Sequence, residues 1–470
     1  MNCKINLNFF VNTFFFSLIF ILSFIYYAFG KCYDAIKFVF LLWYVIITIN
    51  SIKKYGFFSV YSLFLLFSAF FIYDSLFFDL INYGIYDEFT VTYFPKKHCF
   101  NFDTGVLFLI YSSFFLFILD CTYYFFVNKK SIFPIHEKNL LENRRQQVGK
   151  IAFGILLITF PIVLYRALVI SLYILQKGYL VVILEGIDES VFPSWTNGVS
   201  GIFLIAFYVV IICNPSRKIF LYSCIFYCIN VFVKGLGGNR GAFLYDFFTI
   251  IVLYLSLYKT KKVNVRTILL LFIFCFSFAF LIGETREDTS ENKEVVLREN
   301  FLFDFIAGQT NTRAIPFVII ENQIPYHNYP FIFSPIISGS GDNDKSRSSQ
   351  IKNYNNINRL TLYSISPKAV YNGNGLGGAI IGEFIDCFGF FGVIFWTYIL
   401  GIMIAFLDKI KYVNSFLLPF ICIMMQNMFH NPRGYFFSFL SNFKYCFVAL
   451  LLFMIIDIFV KYFYGVKRNV

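Results

Sequence analysis

The side chains that could do chemistry stand at the ends of strongly apolar segments. Arg240 closes the run Lys234-Gly235-Leu236-Gly237-Gly238-Asn239-Arg240-Gly241. Glycine lets a backbone approach a ligand, and turn N–H groups beside a guanidinium fork can cradle a phosphate. The competing reading is a tight turn whose Lys and Arg snorkel to lipid headgroups. In Gly283-Glu284-Thr285-Arg286-Glu287-Asp288, Arg286 lies among acids, and local ion pairs at a solvated helix end compete with function there. His430-Asn431-Pro432-Arg433-Gly434 puts a proton-transfer side chain beside a cation in one short connection. A cation between two apolar segments, next to a helix-breaking Pro, suits an anionic ligand or an ion pair. The histidine could equally be an interfacial polar group. Glu383 follows Gly377-Gly378-Ala379-Ile380-Ile381-Gly382 and sits at the entry to an apolar run, where an ionisable group is expensive and therefore a functional candidate. Its alternative role is a structural partner for an arginine, and Asp386 could play the same part.

The elements that must position these residues are membrane helices. The chain is 58% hydrophobic and 14% charged, far from the ~25% charged of soluble domains. Runs of ~20 apolar residues cross a bilayer as helices, and about twelve are legible: 7–29, 35–50, 57–79, 104–127, 151–175, 198–213, 219–234, 241–258, 267–283, 378–407, 415–430 and 443–464. The first is too long for a signal-peptide core and reads as a retained helix. The fold class is thus an all-α polytopic integral membrane protein. Basic residues fall at every second connection: Lys53 and Lys54; Lys129 to Lys150; Arg217 and Lys218; Lys259 to Arg266; Lys409 and Lys411; Lys467 and Arg468. The positive-inside rule places these loops and both termini in the cytoplasm. The net charge of +12 then belongs to cytoplasmic loops, with no nucleic-acid partner implied. The eleven cysteines lie mostly in apolar runs without metal-ligand spacing and read as small buried hydrophobes.

The remaining interval, 284–376, is a large outward loop between spans nine and ten, so the chain divides into 1–283 (spans one to nine), 284–376 and 377–470 (spans ten to twelve). The loop carries ten acids and nine bases. Balanced charge suits a folded segment over the membrane better than a polyanion-binding surface. Pro325, Pro330 and Pro335 punctuate an aromatic stretch, which suggests short interfacial helices and turns. The tract Gly339 to Ser349 reads as a solvated tip, and Asp342-Asn343-Asp344 within it does not imply a metal.

The chain resembles the Wzy-type O-antigen (oligosaccharide repeat-unit) polymerases. The likeness rests on many spans, a large outward loop before the last few, and the run Gly375-Leu376-Gly377-Gly378-Ala379-Ile380-Ile381-Gly382-Glu383-Phe384-Ile385-Asp386-Cys387-Phe388-Gly389. The Gly-Asn-Arg-Gly turn at 238–241 is also similar to one in that family. The resemblance implies a glycosyltransferase at the periplasmic face of the bacterial inner membrane, joining undecaprenyl-diphosphate-linked repeat units. It also implies a chain-length co-polymerase as a partner, and no cofactor. The leaving group would be a lipid diphosphate, so outward arginines would stabilise charge that grows as the glycosidic bond breaks. Arg240, Arg286, Arg313, Arg359 and Arg433 are the candidates, Arg240 and Arg433 first. A base must take the proton of the attacking hydroxyl, and His430 and Glu383 are the two options. With the reactive groups at its edges, the loop reads as a lid that selects and holds the glycan.

An O-antigen ligase would use the same donor and a similar loop, with a lipid A core as acceptor. A lipid-linked oligosaccharide flippase should show similar halves, short loops on both faces and cations deep inside several spans. A membrane acyltransferase should be richer in histidine than a chain with four.

Overall fold

A computed structural model describes residues 7–81, 90–93, 96–129, 142–177, 193, 195–237, 240–258, 266, 277, 314–322, 329–337, 357–371, 376–410 and 413–465. These residues are helical apart from turns and one two-stranded antiparallel hairpin, Thr90–Tyr93 with Lys96–Cys99. Among the described residues, eight helices are long and apolar enough to cross a bilayer: Asn8–Phe29, Tyr33–Tyr55, Phe102–Val127, Arg144–Gln176, Trp195–Cys213, Arg217–Leu236, Gly389–Leu407 and Ser438–Tyr462. The expectation of a helical, polytopic membrane protein therefore holds, with the short hairpin as an addition to it.

Several of the twelve apolar runs take a form that hydropathy alone does not show. The run 57–79 is broken into Val60–Phe71 and Asp74–Ile81, with Asp74 in the first turn of the second piece, where a carboxylate complements the helix dipole. The run 378–407 is broken as well. A short helix Ile380–Asp386 ends at Cys387, Phe388 and Gly389 turn through left-handed backbone at φ 72° and 58°, and the span Gly389–Leu407 follows. Gly392 makes this corner possible, because a Cβ there would lie 1.5 Å from the Cys387 carbonyl oxygen. The run 415–430 is a 3-10 turn, Ser415–Leu417, leading into Leu418–His430. The run 267–283 and most of the interval 284–376 lie outside the described residues.

The chain forms two compact units. The first comprises Met1–Lys129, Leu297–Asp408 and Asn427–Ser438. Its core is aromatic, with Trp43, Tyr61, Phe64, Tyr73, Phe108 and Phe115 fully buried. Buried polar groups inside it are joined in a chain: Trp43 Nε1 donates to Asn12 Oδ1 at 3.0 Å, while Asn12 Nδ2 and Tyr61 OH donate to Asp120 at 2.6 and 2.7 Å. Asp408, just beyond the Gly389–Leu407 span, caps the Val60–Phe71 helix. Its carboxylate accepts the Val60 and Tyr61 N–H groups at 2.6 and 3.3 Å and the Tyr123 hydroxyl at 2.8 Å. Two donors left open at a helix start are thereby satisfied. Lys37, 2% exposed, is held by Asp34 at 3.2 Å and by Asp79.

The second unit comprises Lys130–Val296, Lys409–Gln426 and Phe439–Val470. Its longest helix, Glu142–Lys177, packs on Trp195–Cys213 and Arg217–Leu236. Ser171 Oγ donates to the Val233 carbonyl at 2.7 Å, and Gly237 sits against Ser171, where a Cβ would meet Oγ at 3.1 Å. Near the start of the same helix, Arg144 forms a two-pronged ion pair with Asp457, with Nε 2.7 Å from Oδ1.

Candidate functional site

In the first unit the fold joins two motifs that are fifty residues apart in the chain. Gly378 donates its N–H to the Arg433 carbonyl at 2.8 Å. The approach is so close that a Cβ on Gly378 would lie 2.5 Å from the Gly434 carbonyl oxygen. Gly434 in turn faces His430, and a Cβ there would lie 2.3 Å from His430 Nδ1 and 2.6 Å from Cε1. The layers Gly378, Gly434 and the His430 imidazole thus stack with no space for a methyl group at either glycine. Upstream, Asn358 Oδ1 accepts the N–H of Leu376 and that of Gly377, the latter at 3.0 Å, which ties the entry segment to the Ile357–Ile365 helix. Gly377 has φ +88°, a left-handed conformation that glycine adopts without strain.

Glu383 is fully buried on the short Ile380–Asp386 helix. Its Oε2 accepts the Phe436 N–H at 3.0 Å, and Oε1 is buried without a hydrogen bond among the described residues. The Phe436 carbonyl accepts Asn427 Nδ2 at 2.9 Å, and Ser438 Oγ donates to Asn427 Oδ1. Phe436 is therefore gripped at both backbone groups, by Glu383 on one side and Asn427 on the other. Phe384 and Trp396 close over its ring at centroid distances of 5.4 and 5.8 Å. Arg433 extends its guanidinium over the Phe71 ring at 5.7 Å. Asp386, the second acid weighed for this region, accepts the Phe331 N–H at 2.8 Å.

Glu383 and His430 lie outside the eight long helices, and the surroundings push their protonation in opposite senses. Burial raises the Glu383 carboxyl well above its ordinary range. The Phe436 N–H opposes this and the Asp386 charge adds to it. Burial lowers the His430 imidazole to about 4, with the Arg433 charge pressing the same way. Near pH 7 the imidazole is neutral, and the carboxyl is displaced toward its neutral form. The arrangement can accept a proton at the imidazole, donate a hydrogen bond from the carboxyl, and present one positive charge at Arg433.

Of the residues picked out in the sequence, Glu383, His430 and Arg433 share the first unit with Arg359, which is half-buried on the Ile357–Ile365 helix. Arg240 begins the Arg240–Tyr258 helix of the second unit, and its side chain lies outside the described residues, as do Arg286 and Arg313. Sequence reading missed Asn358 and Asn427. Their amides serve backbone groups that come from distant segments, and only the run Gln426-Asn427 inside an apolar segment hinted at such a role. It also missed Arg166, Asp246 and Gln426, polar groups inside apolar helices of the second unit. Among the described residues no group of three or more His, Cys, Asp or Glu side chains could hold a metal ion.

A family model for the O-antigen polysaccharide polymerase Wzy matches residues 11–463. No curated protein and no solved structure matches the chain.

Proposed function

The chain belongs to the O-antigen polysaccharide polymerase Wzy family, and we propose that the reactive groups of this polymerase gather around His430 and Arg433, at an end of the first unit that faces the periplasm. The family acts on lipid-linked oligosaccharide repeat units in the membrane. The basic loops support the orientation, with both termini cytoplasmic. In the proposed reaction the acceptor sugar hydroxyl attacks the anomeric carbon of the donor glycan. The bond from that carbon to the diphosphate breaks, and its electron pair leaves with undecaprenyl diphosphate. The hydroxyl proton passes to His430. Its Nδ1 edge is packed against Gly434, so Nε2 is the acceptor, and a neutral imidazole can take this proton. Arg433 meets the charge that grows on the diphosphate, assisted by Arg240, Arg286, Arg313 and Arg359. Glu383, by accepting the Phe436 N–H, fixes the backbone that carries Phe436 and so the segment holding His430. The interval 284–376 serves as the glycan-holding lid, and a separate co-polymerase sets chain length.

The joining of Gly378 to Arg433 and of Glu383 to Phe436 is the observation that carries this assignment. It unites the two motifs with chemistry into one site. The test is complementation of a gene deletion, read as the polysaccharide ladder together with protein abundance. His430→Gln should cut polymerisation by ~10²–10⁴-fold, the usual worth of a general base. Arg433→Ala should leave a single repeat unit on the core. Long polymer in both variants would remove them from the site. Accumulation of lipid-linked polymer in the deletion strain would instead indicate a ligase.

A further inference from the structure

The helix Val60–Phe71 ends with two buried rings four residues apart, Phe67 and Phe71, a spacing that puts both on one face. The rings are nearly parallel, 5° between planes with centroids 6.2 Å apart, and Phe70 meets Phe71 edge-on at 5.0 Å. Against this pair lies the segment that carries the site. Phe429 sits on Phe67 at 5.7 Å, and the Arg433 guanidinium sits over Phe71, also at 5.7 Å. The two residues that flank His430 in the chain thus each rest on one ring of the same pair. The Arg433 distance is within the ~6 Å reach of a cation–π attraction. The backbone of Arg433 is fixed separately, since its carbonyl accepts the Gly378 N–H at 2.8 Å. The platform itself is held at both ends. Asp408 accepts the Val60 and Tyr61 N–H groups at its start, and the Ile72 N–H closes on the Ser68 carbonyl at 2.9 Å directly after Phe71.

We propose that Phe71 is a positioning residue for Arg433, its ring holding the guanidinium where charge develops on the leaving group. The inference rests on the role given to Arg433 in the function proposed above. An arginine anchored only through its backbone must give up side-chain freedom when it meets a ligand. A ring beneath the guanidinium removes part of that freedom beforehand. A carboxylate in the same place would fix the arginine as firmly, but it would cancel the charge and occupy the N–H fork. Phe71 is neutral and takes neither. A leucine there would fill the volume and exert no pull on a cation.

The test is polymerisation of purified lipid-linked repeat units by the full chain in vesicles, with Phe71 replaced by phenylalanines carrying one, two and three ring fluorines. Fluorine draws charge from the ring face and barely alters its shape, so packing is kept while the attraction weakens in steps. Thermal melting confirms that each protein is folded. The value of kcat should fall stepwise, reaching ~10-fold at three fluorines, the size of a partly desolvated cation–π contact. KM should stay within ~3-fold, because the charge Arg433 meets belongs mainly to the transition state. Phe71→Leu should lose at least as much in kcat as the last member of the series. Arg433→Ala, run alongside, separates the two readings. A flat kcat across the folded series, or a change confined to KM, with Arg433→Ala inactive, would overturn the role of Phe71 and leave the proposed site standing. Full activity of Arg433→Ala would overturn both.

Discussion

Replacement of Glu383 separates the two roles open to a buried glutamate beside a reactive histidine. The Ala variant leaves the Phe436 N–H without its acceptor in a site of zero exposure. An orphaned buried donor costs ~1–3 kcal/mol, and the space left by a large buried side chain adds ~2 kcal/mol or more. The sum, ~3–5 kcal/mol, is a large part of the ~5–15 kcal/mol that stabilises a typical fold. Glu383→Ala should therefore lower protein abundance and melting temperature along with polymer. Glu383→Gln keeps an oxygen for the Phe436 N–H and fills the same volume without a charge, so it resembles the neutral acid. It should retain polymer within ~10-fold and melt close to the parent, whereas loss of a general base would cost ~10²–10⁴-fold. Stability against pH gives a second readout. The folded-state pKa is raised, so the stabilising contribution is fully present below the ordinary value of 4.5 and is lost as pH rises toward the folded value. The parent should lose stability across that window, and the Gln variant should show a flatter profile. A Gln variant that accumulates and melts normally but makes no polymer would refute the assignment and return Glu383 to the chemistry.

Other perturbations test the same architecture. Gly434→Ala should displace the imidazole that its Cβ would otherwise touch at 2.3 Å, lowering polymerisation ~10-fold or more as a small misplacement does. Normal activity would show that the ring position is not critical. Asp408→Ala removes the acceptor shared by Val60, Tyr61 and Tyr123 and should destabilise by ~2–4 kcal/mol on the scale of one or two orphaned donors. Thermal melting in detergent measures the drop, and Asp408→Asn should recover part of it.

The membrane class was legible because a helix that crosses lipid needs a long apolar run, and the chain writes such runs plainly. The corner at Phe388–Gly389 was not, because it depends on left-handed backbone at a phenylalanine and on the missing side chain of Gly392, neither of which alters hydropathy. The break before Asp74 is hidden in the same way inside a continuous apolar stretch. At the site, His430, Arg433 and Glu383 stood out as ionisable groups in apolar surroundings, which is a local property. Their union was invisible, since it runs through backbone contacts of Gly378, Gly434 and Phe436 that no residue type announces. Asn358 and Asn427 escaped notice because an amide serving a distant peptide group looks, in sequence, like any other amide. Arg166 was absorbed into the average of a span that is otherwise apolar.

The glycine-rich entry at Leu376–Ala379 invites comparison with loops that cradle phosphates in a ring of peptide N–H groups. Here the N–H groups of Leu376 and Gly377 are spent on Asn358 and that of Gly378 on Arg433. These three donors are already committed and have nothing left to offer an incoming oxyanion. The glycines of the segment act as thin spacers that let two chains touch, and recognition of the anionic carrier falls to side chains. Exchanging an arginine should therefore change which ligand is held, while exchanging one of these glycines should change whether the site assembles at all.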